Sequence, residues 1–174
     1  MCSAFVIDPP AVVSLPVTGD TRRFAVNRIY CVGRNYADHA REMGHDPDRE
    51  PPFFFMKPAN SIVADGKDMA YPKLSNDVHH EIEMVVAIGK GGANIAADKA
   101  LEHVYGYGVG LDMTRRDLQG EAKKMGRPWD TGKAFDQSAP CGEITPASQC
   151  GHPAKGLVKL LVNRSEEHTS ELQS

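Results

Sequence analysis

Glu81-Ile-Glu-Met-Val-Val-Ala-Ile88 is the stretch on which the fold turns. Its Val and Ile content and the Gly89, Gly91, Gly92 cluster behind it predict a β-strand rather than a helix. Side chains alternate across a strand, so Glu81 and Glu83 emerge on one face while Ile82 and Met84 take the other. Two carboxylates that close raise each other's pKa unless a cation neutralises them. The pair is therefore either half of a metal site or two glutamates on a solvated face.

Downstream, Ala96 to Val104 carries apolar residues at helical spacing, and Tyr105 to Asp112 is Gly-rich and β-like. Thr114-Arg-Arg-Asp117 reads as a capping-box-like start to a helix running to about Met125. Gly126 to Gly156 is loop-rich, and a strand follows at 157–162. Upstream, Phe53-Phe-Phe-Met56 reads as a short buried strand, and Arg28 to Gly33 as another. Asn35 caps a short helix from Tyr36 to Met43 that Gly44 ends. Residues 1 to 26, broken by Pro9, Pro10 and Pro16, are extended. The sum is a β-rich α+β domain with long functional loops.

At 174 residues the chain buries roughly 70% of its unfolded surface, enough for one real core. Its 20 basic and 23 acidic residues, with a pI near 6.1, leave no basic excess for nucleic acid. A mean hydropathy of −0.40 and no apolar run near 18 residues exclude a spanning helix, and no secretory signal opens the chain. Cysteines at 2, 31, 141 and 150 match neither a zinc knuckle nor a disulfide framework. Free, mostly buried thiols in a reducing cytoplasm are expected.

Asp112 stands where a loop before a helix can aim a carboxylate inward. Three carboxylates without a paired His or Cys favour a hard divalent cation, Mg²⁺ or Mn²⁺, over zinc. His39 and Glu42 lie at i and i+3, either as a surface pair or as a dyad whose carboxylate raises the imidazole's basicity. Arg116 and Gln119 are also i, i+3 neighbours, and an Arg beside a metal suits a substrate carboxylate. Gly132-Lys133 lacks the glycine spacing and preceding strand of a phosphate loop.

In order, six segments resemble the fumarylacetoacetate hydrolase family. They are Val-Gly-Arg-Asn-Tyr36 with His39 and Glu42; Phe-Phe-Met-Lys-Pro58; His80-Glu-Ile-Glu83; Tyr105-Gly-Tyr107; Leu-Asp-Met-Thr-Arg-Arg-Asp117 with Gln119; and Trp129 through Lys133 to Phe-Asp136. The resemblance implies a curled, mixed β-roll and metal-dependent hydrolysis of a carbon–carbon bond in a 2,4-dioxo acid such as fumarylpyruvate. It implies Glu81, Glu83 and Asp112 as ligands of one Mg²⁺ or Mn²⁺, and His39 with Glu42 as the water-activating dyad. Lys133 and Gln119 would stabilise an oxyanion, Arg116 would bind substrate, and the full-length protein would be a homodimer. Oxaloacetate decarboxylation, hydroxymuconate isomerisation and an inactive fragment are the alternatives.

The division expected is an N-terminal extended segment (1–27), a catalytic domain (28–163) and a tail (164–174). Arg164 to Ser174 resembles a translated sequencing adapter, with no return strand for the one before it. Its one Arg and three Glu contribute −2, leaving −3 − (−2) = −1 on the rest. Family members continue for several strands past Asn163, so apolar surface is expected to be left open.

Overall fold

A computed structural model describes residues 5–33 and 52–173, the side chains of 166–173 excepted. The helix expected from Tyr36 to Met43, with His39 and Glu42, lies outside the described residues.

The decisive stretch is a strand that ends at Ile88 as expected and begins three residues earlier, at Val78. β6 (Val78–Ile88) pairs antiparallel with β7 (Val104–Arg115), from Val78 opposite Arg115 to Ile88 opposite Val104. Before them run β1 (Ser14–Val17) and β2 (Asp20–Ala25), an antiparallel pair, then β3 (Ile29–Gly33) and β4 (Phe53–Lys57), another. β5 (Ile62–Val63) pairs parallel with β8 (Ala139–Pro140), and β9 (Thr145–Pro146) adds antiparallel to β7. β10 (Lys155–Val162) and β11 (Ser165–Gln173) close the chain as an antiparallel pair. The α-helices among the described residues are α1 (Arg116–Lys124), α2 (Asp130–Lys133) and α3 (Ala147–Cys150). Small sheets of mixed sense with a few short helices make this the β-rich α+β roll that was expected.

The core forms where Leu15, Ala87 and Ile144 meet, with Phe24, Val85 and Tyr105 packed against them. Ile144 is fully buried. Its strand segment passes close over β7 because β7 offers Gly108 there; a Cβ on Gly108 would stand 2.8 Å from the Glu143 carbonyl oxygen. The other face of β6 and β7 is open at Val86, Ile88 and Val109, as are Leu157 and Leu161 on β10. Apolar surface was expected to be uncovered, and it is.

Five local expectations are corrected. β7 runs on through Thr114 and Arg115, so no capping box forms; Arg115 is the N-cap of α1 and offers no side-chain cap. Strand pairing with Val78 and His79 holds these residues extended against their local helix signal. Residues Ala97–His103 form a 3-10 helix with nothing buried, and Leu101 is left exposed. β4 is only half buried, with Phe54 and Met56 outward and Phe53, Phe55 and Lys57 inward. Finally, the segment expected to lack a return strand supplies one: Ser165–Gln173 pairs with Lys155–Val162. A main-chain ladder needs no apolar side chains, which is why the polar sequence concealed it. The described thiols are also less buried than expected: Cys31 and Cys141 are half-buried and Cys150 is exposed, while Cys2 lies outside the described residues.

Candidate functional site

The two central strands bring the first pieces together. Glu81 on β6 stands directly opposite Asp112 on β7, and Glu83, two residues on, faces Gly110. Asp112 is thus aimed by strand pairing rather than by a loop, a correction to the sequence reading. Gly110, opposite Glu83, has no room for a side chain: a Cβ there would stand 2.9 Å from Val85 Cγ2 and 3.2 Å from the Pro140 carbonyl oxygen.

Lys133 enters between the two carboxylates. It ends α2, where its N–H donates to the Trp129 carbonyl at 2.8 Å. Trp129 is anchored on the inward face of β4, edge-on to Phe53 with ring centroids 5.2 Å apart and tilted against Phe55 at 5.8 Å. Gly132 lets α2 lie tight on α1: a Cβ there would be 2.8 Å from the Gln119 nitrogen. So placed, Lys133 Nζ donates to Glu81 Oε2 at 2.7 Å, Asp112 Oδ2 at 2.7 Å and Thr114 Oγ1 at 2.6 Å. Thr114 Oγ1 in turn donates to the Asp112 carbonyl at 3.1 Å. All three ammonium protons are used.

Arg116 opens α1 and donates to Glu81 Oε1, and it also donates to Gln119 Oε1 at 2.6 Å. The i, i+3 pair read from sequence therefore exists. Because Gln119 accepts through its oxygen, its NH₂ is the end left to donate. Burial pushes the Glu81 carboxyl up, but Lys133 and Arg116 outweigh it and hold it below its ordinary value.

Two members of this cluster escaped the sequence reading. Lys57, 2% exposed, places Nζ 2.9 Å from Asp112 Oδ1 and donates to the carbonyls of Met113, at 3.1 Å, and Lys133. Burial pushes its ammonium pKa down against the pull of Asp112. The other is Thr114, fully buried. Period-two alternation from Phe53 was the available signal for Lys57: it shares the inward face with Phe53 and Phe55.

Of the predicted site residues, Glu81, Asp112, Lys133, Arg116 and Gln119 come together. Glu83 shares the β6 face of Glu81, and His39 and Glu42 lie outside the described residues. Among the described residues no three His, Cys, Asp or Glu side chains are gathered closely enough to hold one ion. Glu81 and Asp112 converge on the Lys133 ammonium instead. The donor chemistry nonetheless fits a hard cation. Asp112 Oδ1 is buried and accepts no hydrogen bond, its 2.9 Å approach to Lys57 being an ion pair without hydrogen-bond geometry. A buried carboxylate oxygen that accepts no well-formed hydrogen bond is the kind of hard donor such a cation takes.

Residues 28–174 match the family model described as fumarylacetoacetate (FAA) hydrolase C-terminal. The match runs through the tail, and nothing in the comparisons supports a sequencing-adapter origin for it. The crystal structure of fumarylpyruvate hydrolase from Pseudomonas aeruginosa in complex with Mn²⁺ and pyruvate is 55% identical, with a TM-score of 0.91. The similarity covers 96% of this chain and 73% of that one. A fumarylpyruvate hydrolase from Ralstonia sp is 42% identical over 132 residues, 75% of this chain and 68% of the relative. Oxaloacetate tautomerase YcgM from Escherichia coli is 39% identical over 141 residues, covering 80% of this chain and 64% of the relative. The chain thus spans between about two thirds and three quarters of the length of these proteins.

Proposed function

Since the chain belongs to the fumarylacetoacetate hydrolase family, we propose that it hydrolyses a carbon–carbon bond in a 2,4-dioxo acid such as fumarylpyruvate. One water is consumed and the products are fumarate and pyruvate. The observation that carries this reading is the clustering of Lys133, Arg116 and Gln119 over the Glu81–Asp112 carboxylate pair.

Charge counting supports an anionic substrate. Lys57, Lys133 and Arg116 offset Glu81, Glu83 and Asp112, so the cluster is neutral by itself. A divalent cation would leave it at +2, which a dianionic diacid neutralises. Glu81, Glu83 and Asp112 are the residues that would hold Mg²⁺ or Mn²⁺, which when bound supplies Lewis-acid stabilisation of the pyruvate enolate.

The chain's own residues carry the remaining steps. His39, oriented by Glu42, takes a proton from water onto its imidazole, and the hydroxide attacks the carbonyl distal to the carboxylate. Lys133 donates to the oxyanion once one of its present acceptors is taken up by another partner, and the free NH₂ of Gln119 is the second donor. Such donors are often worth several kcal/mol of barrier. Arg116, which donates to Gln119 and Glu81, would bind a substrate carboxylate. The proposed protein is cytoplasmic and homodimeric, with no nucleic-acid or membrane partner; among the described residues no helix is long and apolar enough to cross a membrane.

The test incubates the chain with fumarylpyruvate and Mg²⁺, with and without EDTA, following loss of the enol absorbance and the products by NMR. Fumarate and pyruvate formation that EDTA and Glu83→Ala both abolish supports the reading. A folded, metal-loaded protein that forms neither product sinks it. The similarity to an oxaloacetate tautomerase favours one second reading, in which the site moves a proton on oxaloacetate without cleaving it. Enol–keto conversion of oxaloacetate, with fumarylpyruvate left intact, would select that reading.

A further inference from the structure

Lys57 has no task in the chemistry proposed above, yet it is the most completely buried cation of the cluster. Its strand places it inward beside two phenylalanines, a position an apolar side chain would fill at less cost. Its ammonium reaches three groups on two other elements. It touches the Asp112 carboxylate and the Met113 carbonyl on β7, and the main-chain carbonyl of Lys133 at the end of α2. The side chains of Asp112 and Lys133 themselves meet at 2.7 Å. One buried charge therefore grips the carboxylate from one side and the backbone that carries its other partner.

We propose that Lys57 is a positioning residue, fixing the aim of Lys133 and Asp112 at one another while its charge weakens the hold of this cluster on a divalent cation. The inference rests on the site reading above and adds a role within it. By tying down the Lys133 carbonyl, Lys57 limits the directions from which the Lys133 ammonium can reach a substrate oxygen. By standing 2.9 Å from Asp112 Oδ1, it competes with any cation for that otherwise unpaired oxygen. Removing its charge thus acts on the two properties in opposite senses. The cation should bind more tightly and turnover should slow.

Lys57→Met keeps the length and volume of the side chain and removes only the ammonium. Mn²⁺ titration by calorimetry and electron paramagnetic resonance should show binding roughly tenfold tighter than in the unmutated chain. With fumarylpyruvate, kcat should fall about 30- to 100-fold while KM stays within about threefold. In a Lys133→Met background the same change should lower kcat no further, because the residue it acts through is gone. Lys57→Gln, which keeps an N–H donor without the charge, decides on the same readouts if Lys57→Met does not fold. Mn²⁺ affinity and kcat falling together, additive losses in the double variant, or failure of both variants to fold would each overturn the proposal. An unmutated chain that neither binds Mn²⁺ nor turns over would instead remove the hydrolase reading, and this inference with it.

Discussion

Gly132 and Gly120 offer one chemical change with two opposite outcomes. At Gly132 an added Cβ would lie 2.8 to 2.9 Å from the Gln119 nitrogen, Cα and Cβ. Ordinary contacts begin near 3.4 Å, so α2 and α1 must separate by about half an ångström or more, and the obstruction is helix backbone that cannot turn aside. Overpacking of this kind costs about 1–3 kcal/mol, a fall in Tm of about 2–4 °C for each kcal/mol in a chain of this size. Lys133 is the next residue, and its ammonium holds three partners at 2.6 to 2.7 Å. A shift of that size breaks the aim of the side chain, and misplacements near 1 Å cost on the order of 100-fold in rate.

At Gly120, inside α1, an added Cβ meets nothing within 4 Å. There alanine removes backbone freedom from the unfolded chain and should stabilise by about 0.5–1 kcal/mol. The assay is thermal unfolding of Gly132→Ala and Gly120→Ala beside the unmutated chain, with fumarylpyruvate turnover on each. The reasoning fails if Gly132→Ala melts within a degree of the unmutated chain and keeps its turnover. It fails equally if both substitutions shift Tm in the same direction.

Three further outcomes are expected. Burial pushes the Cys141 thiol up to about 11, so at pH 8 only about 0.1% is thiolate, whereas Cys150 is exposed; timed maleimide labelling with peptide mass spectrometry should modify Cys150 well before Cys141. Asp117 accepts from Ser75 Oγ at 2.7 Å and the Asn76 N–H at 3.1 Å, and hydrogen bonding, from Ser75 first, holds its carboxyl below the ordinary 3.8. A depressed carboxyl stabilises above its unfolded value and loses that contribution as pH falls through the folded one. Asp117→Asn should therefore lower Tm at pH 7 and converge with the unmutated chain as pH falls through the folded value, which lies below the ordinary 3.8. Thr114→Val keeps the shape of a fully buried side chain but removes an acceptor from Lys133, and turnover should fall about tenfold or more with little change in KM.

The fold was legible wherever side-chain pattern and strand pairing agree. The run from Glu81 to Ile88, the glycines of β7 and the inward alternation of β4 are all properties of single segments, and the sequence reading found those strands. It failed where pairing overrode local chemistry. Thr114 looks like a cap because hydroxyls near helix starts often are caps, but the ladder to β6 keeps it extended and turns its hydroxyl toward Lys133 instead. Ser165–Gln173 carries no apolar pattern, yet its backbone pairs.

The candidate site was legible as a set of residue types but not as a circuit. Gly132-Lys133 has neither the glycine spacing nor the preceding strand of a phosphate loop, so local sequence gives Lys133 no role and only the family resemblance does. No spacing rule could have shown that Lys57, Thr114 and Lys133 meet at Asp112, because β4, β7 and α2 are joined there by tertiary structure. General physics adds that two buried cations, Lys57 and Lys133, need anions beside them, and Glu81 and Asp112 supply these. A buried lysine on an otherwise apolar strand is the trace such a circuit leaves in a sequence. At Lys57 that trace is legible once the alternation Phe53, Phe55, Lys57 is followed to its end.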